Sequence, residues 1–515
     1  MTSKFAILDF GSQVTQLIAR RLREFGVYSE LFPFDVSLEK LKEFNPQGII
    51  LSGGAHSVYD DHSPLRGVKE LADIAPLFGI CYGMQIITHS FGGKVEAASN
   101  REYGLNQVAW SVPFSEGLKT KLKNLDHQQN VWMSHGDIVK AVPPGFEIVA
   151  TSEGKHPAAI KSEKVWAVQF HPEVTHTDLG DEVLKSFVFE LCKAEPNWTA
   201  PSIVETLLEK IKSQVGSESV LLGLSGGVDS SVVAALLTKA LGPDQVHCVF
   251  VDTGLLRKNE FTDVMKMYKE YGLNVKGADA ADLFLSELAG ISDPETKRKT
   301  IGRVFIETFE QSVKDLNLNC RFLAQGTLYP DVIESVSLRG SSVTIKSHHN
   351  VGGLPERMNM DLVEPLRELF KDEVRAIGKE LGLPKEILGR HPFPGPGLAV
   401  RILGEITKEK LETLRDADDI FIKGLKEEGI YDDIWQAFVA LLPVKSVGVQ
   451  GDNRTYANAC VLRAVTSSDG MTADWFDFPP RFLRKVSNRI TNEVAGINRV
   501  VYDVTSKPPG TIEWE

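Results

Sequence analysis

One short segment combines a cysteine with two glycines in a pattern suited to nucleophilic catalysis. In Gly79-Ile80-Cys81-Tyr82-Gly83, the apolar stretch PLFGI precedes the cysteine and the helical pattern MQIITHSF follows it. Glycines permit a sharp turn from strand to helix, and the helix N-terminus favours the thiolate form of a cysteine. A buried core cysteine is the alternative, because most cysteines lie in cores. The flanking glycines favour the nucleophile, so we expect the Cys81 thiol to be exposed and activated.

A base and a carboxylate that orients it are predicted at the end of another apolar segment. In VWAVQFHPEV, His171 and Glu173 are two residues apart in an extended stretch, so both side chains leave the same face. Glu173 can then orient the imidazole. Together with Cys81 they form a nucleophile, base and orienting group for acyl transfer. Taken alone, His171 would be better explained by a solvated His-Pro turn.

Backbone N–H groups near the cysteine are expected to stabilise an oxyanion. They belong to Tyr82, directly after the nucleophile, and to the tight turn Gly53-Gly54. GICYGMQ together with QFHPEV resembles the triad-type glutamine amidotransferase domain, which hydrolyses glutamine to glutamate and ammonia. The resemblance implies a glutamine-binding set of Gln85, Ser134, His135 and Gly136. From the residues alone, SHGD is also compatible with an ordinary loop.

A glycine- and serine-rich turn between the strand VLLGLS and the helix VVAALLTKAL is predicted to bind phosphate. Glycines let the backbone approach an anion, serines add donors, and the helix N-terminus supplies oriented N–H groups. The turn lacks the lysine of G-x-x-x-x-G-K-[ST]. It resembles instead the loop of pyrophosphatases that split ATP into AMP and pyrophosphate. The residues of the turn are Ser225, Gly226, Gly227, Val228, Asp229, Ser230 and Ser231.

Three further segments of the same region are assigned to the nucleotide. The resemblance places nucleotide contacts at Val251, at the next strand end. Asp331 and Glu334 in QGTLYPDVIES have helical spacing suited to Mg²⁺ on pyrophosphate, with a solvated acidic helix start as the alternative. A basic cluster in the glycine-bearing loop TIKSHHNVGG could close as a lid over the phosphates, or could simply be a surface loop. It consists of Lys346, His348 and His349.

The C-terminal segment shows no chemistry from residue types alone. Its ending SKPPGTIEWE, with GVQGDNRTYANAC and DWFDFPPRFL, resembles the dimerisation and nucleotide-acceptor region of the glutamine-hydrolysing GMP synthetase family. The resemblance implies that Lys507 and Arg499 bind the phosphate of XMP and that Arg298 closes the same site. It also implies that Gln450, Ile512 and Glu513 hold the ribose or base. We therefore expect glutamine hydrolysis, adenylation of XMP with MgATP, and amination to GMP, in a homodimer.

The elements that must position these residues follow from length and patterning. The chain has 515 residues, which at ~150 per domain predicts three to four domains. Alternating strand and helix patterns predict an α/β fold: two α/β domains with mostly parallel sheets and a smaller C-terminal α+β dimerisation domain. The expected boundaries are 1–193, a linker at 194–202, an adenylating domain at 203–391 and a dimerisation and XMP-binding domain at 392–515.

Composition excludes several classes of protein. Hydrophobic residues are 42 % and charged residues 24 %, which is typical of globular proteins. The net charge of −12 makes nucleic acid a poor partner. Five scattered cysteines fit a reducing cytoplasm, and no apolar run is long enough to span a membrane.

Two other functions remain open at this point. One is glutamine-dependent adenylation of another acceptor, such as a carboxylate in NAD synthesis or a tRNA base. The other is a non-catalytic glutamine or nucleotide sensor, which the intact set of Cys81, His171 and Glu173 disfavours.

Overall fold

The computed structural model describes the chain except for residues 1, 62, 337–359, 451–452, 468–469 and 471. The side chains of residues 99–100, 333–336 and 450 are likewise outside the description. The described residues form two compact units, one up to Ile203 and the other from Val204 on. Among the helices of these residues, none is both long and apolar enough to cross a membrane.

The strands are β1 (Lys4–Asp9), β2 (Tyr28–Pro33), β3 (Gly48–Leu51), β4 (Leu77–Ile80), β5 (Lys94–Trp110), β6 (Gln128–Ala141), β7 (Glu147–Ser152), β8 (Pro157–Lys161), β9 (Val165–Val168), β10 (Val220–Leu224), β11 (Val246–Asp252), β12 (Val275–Asp279), β13 (Phe322–Ala324), β14 (Asp361–Val363), β15 (Gln436–Gln450), β16 (Asn453–Thr466), β17 (Asp474–Trp475) and β18 (Ile497–Tyr502).

The α-helices are α1 (Thr15–Glu24), α2 (Leu38–Phe44), α3 (Lys69–Ala72), α4 (Tyr82–Ser90), α5 (Glu116–Lys123), α6 (Gly180–Lys185), α7 (Ala200–Val215), α8 (Val228–Leu241), α9 (Glu260–Glu270), α10 (Ala281–Leu288), α11 (Pro294–Asp315), α12 (Tyr329–Val336), α13 (Lys371–Glu380), α14 (Lys385–Leu388), α15 (Lys408–Glu427) and α16 (Pro480–Glu493).

The first unit is built on one mixed sheet in the order β2-β1-β3-β4-β9-β8-β7-β5-β6. The strands from β2 to β9 pair in parallel, whereas those from β9 to β6 pair antiparallel. β1, β3, β4 and β9 read as almost continuous apolar runs, as expected of strands buried on both faces. The predicted α/β class is confirmed, and the antiparallel half accommodates the long hairpin of β5 and β6.

The second unit contains two sheets around one continuous core. A fully parallel sheet has the order β12-β11-β10-β13-β14, and a smaller sheet joins β15, β16 and β17 with β18 beside β16. Core side chains from Leu221 and Val249 to Leu462 and Ile497 belong to the same apolar cluster. The predicted boundary at residue 392 stays a prediction, since the residues on its two sides share this core.

The segment predicted as a linker is largely ordered against the first unit. Trp198 packs edge-on against Tyr28 with ring centroids 4.8 Å apart, and the guanidinium of Arg23 lies 4.8 Å from the Trp198 ring. α7 begins at Ala200, so the last residues of the predicted linker are helical. The aromatic residue in an otherwise polar stretch explains why the segment is held rather than extended into solvent.

Candidate functional site

Cys81 lies in a strained turn between β4 and α4, where its φ is 53° and its ψ is −106°. A Cβ added at Gly83 would lie 2.4 Å from the carbonyl oxygen of Leu51, and one added at Gly79 would lie 2.5 Å from Cδ1 of Ile87. Neither position has room for a side chain. The two glycines therefore allow the close backbone approach that holds Cys81 in this left-handed conformation.

Two adjacent parallel strands bring the predicted base to the cysteine. Ile80 on β4 pairs with Val168 on β9, and the Cys81 N–H donates to the Val168 carbonyl oxygen at 2.8 Å. Nδ1 of His171 lies 2.7 Å from Oε1 of Glu173, and both side chains are buried. A carboxylate can only accept, so Nδ1 carries the proton and Nε2 is left for the thiol. The structure thus assembles all three predicted residues.

The electrostatics of this group favour an ion pair. Burial lowers the pKa of His171, but the charge of Glu173 and the hydrogen bonds with Cys81 and Glu173 outweigh it, and the pKa is raised to about 10. His171 is therefore an imidazolium at neutral pH. The thiolate is the nucleophilic form of cysteine, and a neighbouring cation generally favours that form.

The expected exposure of the thiol is wrong, because Cys81 is only 3 % exposed. Its Sγ is directed at the carbonyl oxygen of Ser134, 3.6 Å away on β6. A Cβ added at Gly53 would lie 3.0 Å from Cε1 of His171 and 3.6 Å from Cβ of Cys81. Neighbouring strands and the Gly53 turn thus enclose the nucleophile, which a local sequence pattern does not reveal.

The predicted oxyanion donors lie beside the cysteine. Tyr82 is the first residue of α4, so its N–H has no acceptor within the helix. Gly53 contacts the Cys81–His171 pair, and a Cβ at Gly54 would lie 2.7 Å from the carbonyl oxygen of Phe10. The turn therefore needs two glycines to fit between these groups.

Two of the predicted glutamine-binding side chains are engaged inside the protein. Nε2 of Gln85 donates to the Asp137 carbonyl oxygen at 3.1 Å, and Nδ1 of His135 lies 2.9 Å from the same oxygen. Nε2 of His135 lies 3.1 Å from Oε2 of Glu102, whose pKa is lowered by this contact. Of the other two predicted residues, Ser134 lies beside Cys81 through its carbonyl oxygen. Glu102 escaped the sequence analysis because a lone glutamate in a strand gives no signal.

In the second unit, the predicted phosphate turn joins the end of β10 to the start of α8. Gly226 has a φ of 73°, and Gly227 precedes the first helical residue, Val228. Oγ of Ser225 and of Ser230 are 3.1 Å apart, and the Ser231 hydroxyl donates to the Gly227 carbonyl oxygen at 2.7 Å. The hydroxyls brace the turn, and the N–H groups at the helix N-terminus are of the kind that suits an anion.

Two cations at this turn were missed by the sequence analysis. Nζ of Lys371, in the first turn of α13, lies 2.9 Å from Oδ2 of Asp229. Nη1 of Arg390 donates to the Gly226 carbonyl oxygen at 2.7 Å, while Nη2 forms an ion pair with Glu260. Both cations lie more than a hundred residues along the chain from the turn, so no spacing pattern could indicate them.

The remaining nucleotide predictions are placed as follows. Val251 is buried on β11, and Asp331 in the first turn of α12 accepts a hydrogen bond from the Leu328 N–H at 3.3 Å. Glu334 is on the same helix, but its side chain lies outside the described residues, as do Lys346, His348 and His349. The described residues contain no group of three His, Cys, Asp or Glu side chains able to hold a metal.

The predicted acceptor residues are spread over several elements. The Arg499 Nε on β18 donates to the Ser446 Oγ at 2.6 Å, and Nζ of Lys507 donates to the Gly470 carbonyl oxygen at 2.8 Å. Arg298 on α11 is partly exposed beside Glu295. The side chain of Gln450 is outside the described residues.

The other two residues predicted to contact the acceptor nucleotide, Ile512 and Glu513, pack against or bond to side chains of the second unit. Ile512 packs in an apolar cluster, and Glu513 accepts two hydrogen bonds from Arg401 and one from Gln436.

Known protein families match three successive parts of the chain. Residues 6–191 match "Glutamine amidotransferase class-I", residues 200–304 match "NAD synthase", and residues 423–514 match "GMP synthase C terminal domain". Curated relatives named "GMP synthase [glutamine-hydrolyzing]" are similar over nearly the whole chain. The protein of Bdellovibrio bacteriovorus is 63 % identical over 99 % of each chain. That of Bartonella quintana is 56 % identical over 99 % of this chain and 98 % of its own.

Proposed function

The chain belongs to the family of glutamine-hydrolysing GMP synthases, and from this premise we propose how its residues divide the reaction. It is an ATP-dependent ligase that hydrolyses glutamine and uses the ammonia to convert XMP into GMP. The observation that carries our assignment of residues is the buried group of Cys81, His171 and Glu173, in which Cys81 lies in a turn that only glycines permit.

In the first unit, the Cys81 thiolate attacks the amide carbon of glutamine. The oxyanion receives hydrogen bonds from the Tyr82 N–H and from the Gly53-Gly54 turn. The imidazolium of His171 gives its proton to the departing nitrogen, so that ammonia leaves as the neutral nucleophile. His171 then takes a proton from water, whose hydroxide breaks the thioester bond, releases glutamate and returns the Cys81 thiolate beside the imidazolium. Glu173 keeps the imidazole oriented through its bond to Nδ1.

In the second unit, the oxygen at position two of the XMP base attacks the α-phosphorus of ATP, and pyrophosphate leaves. Adenylation turns a poor leaving oxygen into a good one, and ammonia then displaces AMP to give GMP. We assign the pyrophosphate to the turn from Ser225 to Ser231, with Lys371 and Arg390 beside it. The helix N-terminus and the two cations suit an anion.

Mg²⁺ is the usual companion of ATP in such chemistry, and one buried oxygen fits it. Oδ1 of Asp229 is buried without a hydrogen-bond partner among the described residues. Mg²⁺ commonly takes only one or two protein carboxylates and completes its shell with phosphate oxygens and water. We propose that Asp229, together with Asp331 and Glu334 of α12, supplies the carboxylates that would hold the ion. Bound there, the ion would neutralise charge on the phosphates.

The acceptor assignments rest on resemblance and on the match of residues 423–514. We propose that Lys507 and Arg499 bind the phosphate of XMP, and that Ile512 and Glu513 contact its ribose or base. The match of residues 200–304 to "NAD synthase" supports an ATP pyrophosphatase domain in this part of the chain.

We also propose a homodimer in a reducing compartment such as the cytoplasm. Val447 and Tyr456 pair across β15 and β16 and are 51 % and 64 % exposed, and Val449 on the same face is 73 % exposed. An apolar face of this kind suits a second copy. The five cysteines are all unpaired, as expected in a reducing environment. Sedimentation of wild type and of Val449→Lys tests the dimer, because a charge at its centre should favour the monomer.

Product analysis tests the proposed reaction directly. The protein is incubated with XMP, ATP, Mg²⁺ and either glutamine or an ammonium salt, and nucleotides are separated by chromatography. We expect GMP, AMP and pyrophosphate in equal amounts with both nitrogen sources, and glutamate only with glutamine. ADP and orthophosphate as primary products would refute the assignment, as would AMP and pyrophosphate formed without GMP.

A further inference from the structure

The C-terminal segment 503–515 is tied to the second unit by three cationic side chains that have no exposed surface. Arg463 on β16, Arg401 in the short 3₁₀ helix Gly397–Arg401, and Lys297 on α11 are each 0 % exposed. Burying a charge is costly unless it is paired and hydrogen-bonded. All three cations find partners in this segment, although they come from different parts of the chain.

Two of the cations bind glutamates near the end of the segment. Arg401 donates to Glu513 through Nε at 3.2 Å and through Nη2 at 2.9 Å, a two-point contact. Nζ of Lys297 lies 2.5 Å from Oε2 of Glu515 and 2.7 Å from the Ile402 carbonyl oxygen. Removing either glutamate would leave a buried cation without its counter-charge.

Arg463 makes a different contact, because it binds the backbone on both sides of one turn. Nη1 donates to the Thr505 carbonyl oxygen at 2.5 Å, and Nη2 donates to the Thr511 carbonyl oxygen at 3.2 Å. These two threonines flank the turn that carries Lys507. The carboxylate of Asp503 lies 3.5 Å from Nη1 and supplies the counter-charge. The planar guanidinium thus fixes the distance between the two ends of the turn.

The opposite side of the turn is held by the backbone. The Lys507 N–H donates to the Ala473 carbonyl oxygen at 2.7 Å, and the Ala473 N–H donates to the Lys507 carbonyl oxygen at 3.0 Å. The backbone of Lys507 is therefore fixed by its two hydrogen bonds with Ala473. The base of the turn is fixed by the two hydrogen bonds that the Arg463 guanidinium donates, which we call the Arg463 fork. Together these contacts fix the backbone from which the Lys507 side chain extends, and its ammonium donates to the Gly470 carbonyl oxygen at 2.8 Å.

We propose that Arg463 is a positioning residue for the acceptor nucleotide, acting through the turn that carries Lys507. Being fully buried, Arg463 does not touch XMP; it holds the Lys507 ammonium where the phosphate of XMP binds. The proposal rests on the assignment of Lys507 to that phosphate made under the proposed function. It predicts that loss of the fork weakens XMP binding more than it slows turnover.

The test uses Arg463→Lys and Arg463→Met in the full chain, with Arg454→Lys as the matched control on the exposed part of β16. XMP is titrated at saturating ATP and ammonium. For Arg463→Lys, which keeps the charge and loses the fork, we expect the half-saturating XMP concentration to rise ~10-fold and kcat to change less than ~3-fold, since one charged hydrogen bond is lost. Arg463→Met should have a larger effect, and Arg454→Lys none.

A double-mutant cycle with Lys507 separates a positioning role of Arg463 from a purely stabilising one. Combined with Lys507→Ala, Arg463→Lys should add nothing further to the half-saturating XMP concentration, because both changes remove the same contact. Additive effects, or a lower kcat with an unchanged half-saturating XMP concentration, overturn the proposal.

Hydrogen exchange gives an independent test. The amides of residues 505–511 should exchange faster in Arg463→Lys than in the wild type, while those of β16 stay unchanged. Exchange rates in this turn equal to those of the wild type also overturn the proposal.

The outcome for Lys507→Ala alone tells the two assignments apart. An unchanged half-saturating XMP concentration in that variant refutes the phosphate-site assignment, and the role of Arg463 falls with it. A clear rise with Lys507→Ala and none with Arg463→Lys refutes only the positioning role and leaves the phosphate site in place.

Discussion

In the first unit, the side chains proposed to react with glutamine lie against one another. In the second unit, the charged side chains at the phosphate turn are paired with one another. Cys81, His171 and Glu173 meet at the ends of two adjacent strands, and His171 is paired with Glu173 before any substrate binds. At the phosphate turn, Asp229 is neutralised by Lys371, and Arg390 by Glu260.

This difference follows from the chemistry of the two steps. Covalent catalysis needs an activated nucleophile in place at the moment of attack. Transfer of AMP needs positioning and charge stabilisation, because ATP brings its own reactive bond. Under the proposed assignment, internal pairing keeps the cations near the turn until the phosphates of ATP compete for them.

The largest effect is expected from Cys81→Ala. Glutamine-dependent GMP formation should fall by at least ~10⁴-fold, because only the thiolate forms the acyl-enzyme, and ammonium-dependent formation should stay near wild type. Cys192→Ala, which removes a buried thiol of the same unit whose pKa burial raises, is the control and should retain both activities. Loss of both activities in Cys81→Ala would contradict the independence of the two sites.

Asp229→Asn should affect the other site by roughly 10²- to 10³-fold. The substitution keeps the shape of the side chain, removes the partner of Lys371 and weakens the proposed cation site. Pyrophosphate release should fall with glutamine and with ammonium alike, while glutaminase activity persists. Asp372→Asn, an exposed neighbour of Lys371 on α13, should change neither activity. A defect confined to glutamine would contradict the prediction.

Gly83→Ala tests whether the first site depends on close backbone approach. The new Cβ would meet the Leu51 carbonyl oxygen at 2.4 Å, so the turn must shift. We expect about 1 to 3 kcal/mol of destabilisation and a glutaminase loss on the order of 10²-fold. In the control Gly117→Ala, the added Cβ meets nothing closer than 3.8 Å. Calorimetry and a glutaminase assay measure both effects; wild-type activity in Gly83→Ala would exclude a strained turn as the source of activation.

Glu173→Gln should reduce glutaminase activity by only about 10- to 10²-fold, since an orienting group costs less than the nucleophile. It should also shift the pH profile. Glu173 raises the pKa of His171, so removing its charge lowers that pKa, and the imidazolium is lost at lower pH. The alkaline limb of the rate profile should therefore move down by about one pH unit or more. An unmoved limb would show that Glu173 acts only sterically.

A buried histidine of the second unit is held in the opposite protonation state. The Ala437 N–H donates to Nδ1 of His391 at 3.2 Å, and Nε2 lies 2.9 Å from the Tyr431 carbonyl oxygen, to which it donates. In this neutral form Nδ1 accepts a hydrogen bond from the Ala437 N–H, so it is not available to bind a second proton. Burial is the main reason that the pKa of His391 is lowered, to about 4.

His391 should therefore make the second unit sensitive to acid. Between pH 6.5 and 4 the unfolded chain binds a proton at this residue that the folded chain does not, so stability is present above pH 6.5 and is lost as pH falls. From pH 7 to 5 the loss should reach about 2 kcal/mol at most. His391→Phe, which can still stack on Tyr431, should show a flatter dependence in urea unfolding at several pH values. Parallel dependences in both proteins would contradict it.

The sequence alone determined the features that depend on neighbouring residues in the chain. The Cys81 turn was visible because its glycines lie two residues to either side, and His171 with Glu173 because an extended strand puts alternate residues on one face. The phosphate turn was visible for the same reason: one short segment contains the strand end, the glycines and the helix start. The α/β class followed from strand and helix periodicities.

The tertiary structure decided which distant residues meet these local motifs. Glu102 reaches His135, Lys371 reaches Asp229, and Arg463 reaches the Lys507 turn only because strand pairing and helix packing bring them there. It also decided that the Cys81 thiol is enclosed, since the carbonyl oxygen of Ser134 comes from a different strand. Charge pairing and burial depend on distances in space. Residues that are far apart in the sequence reach those distances only when the chain folds.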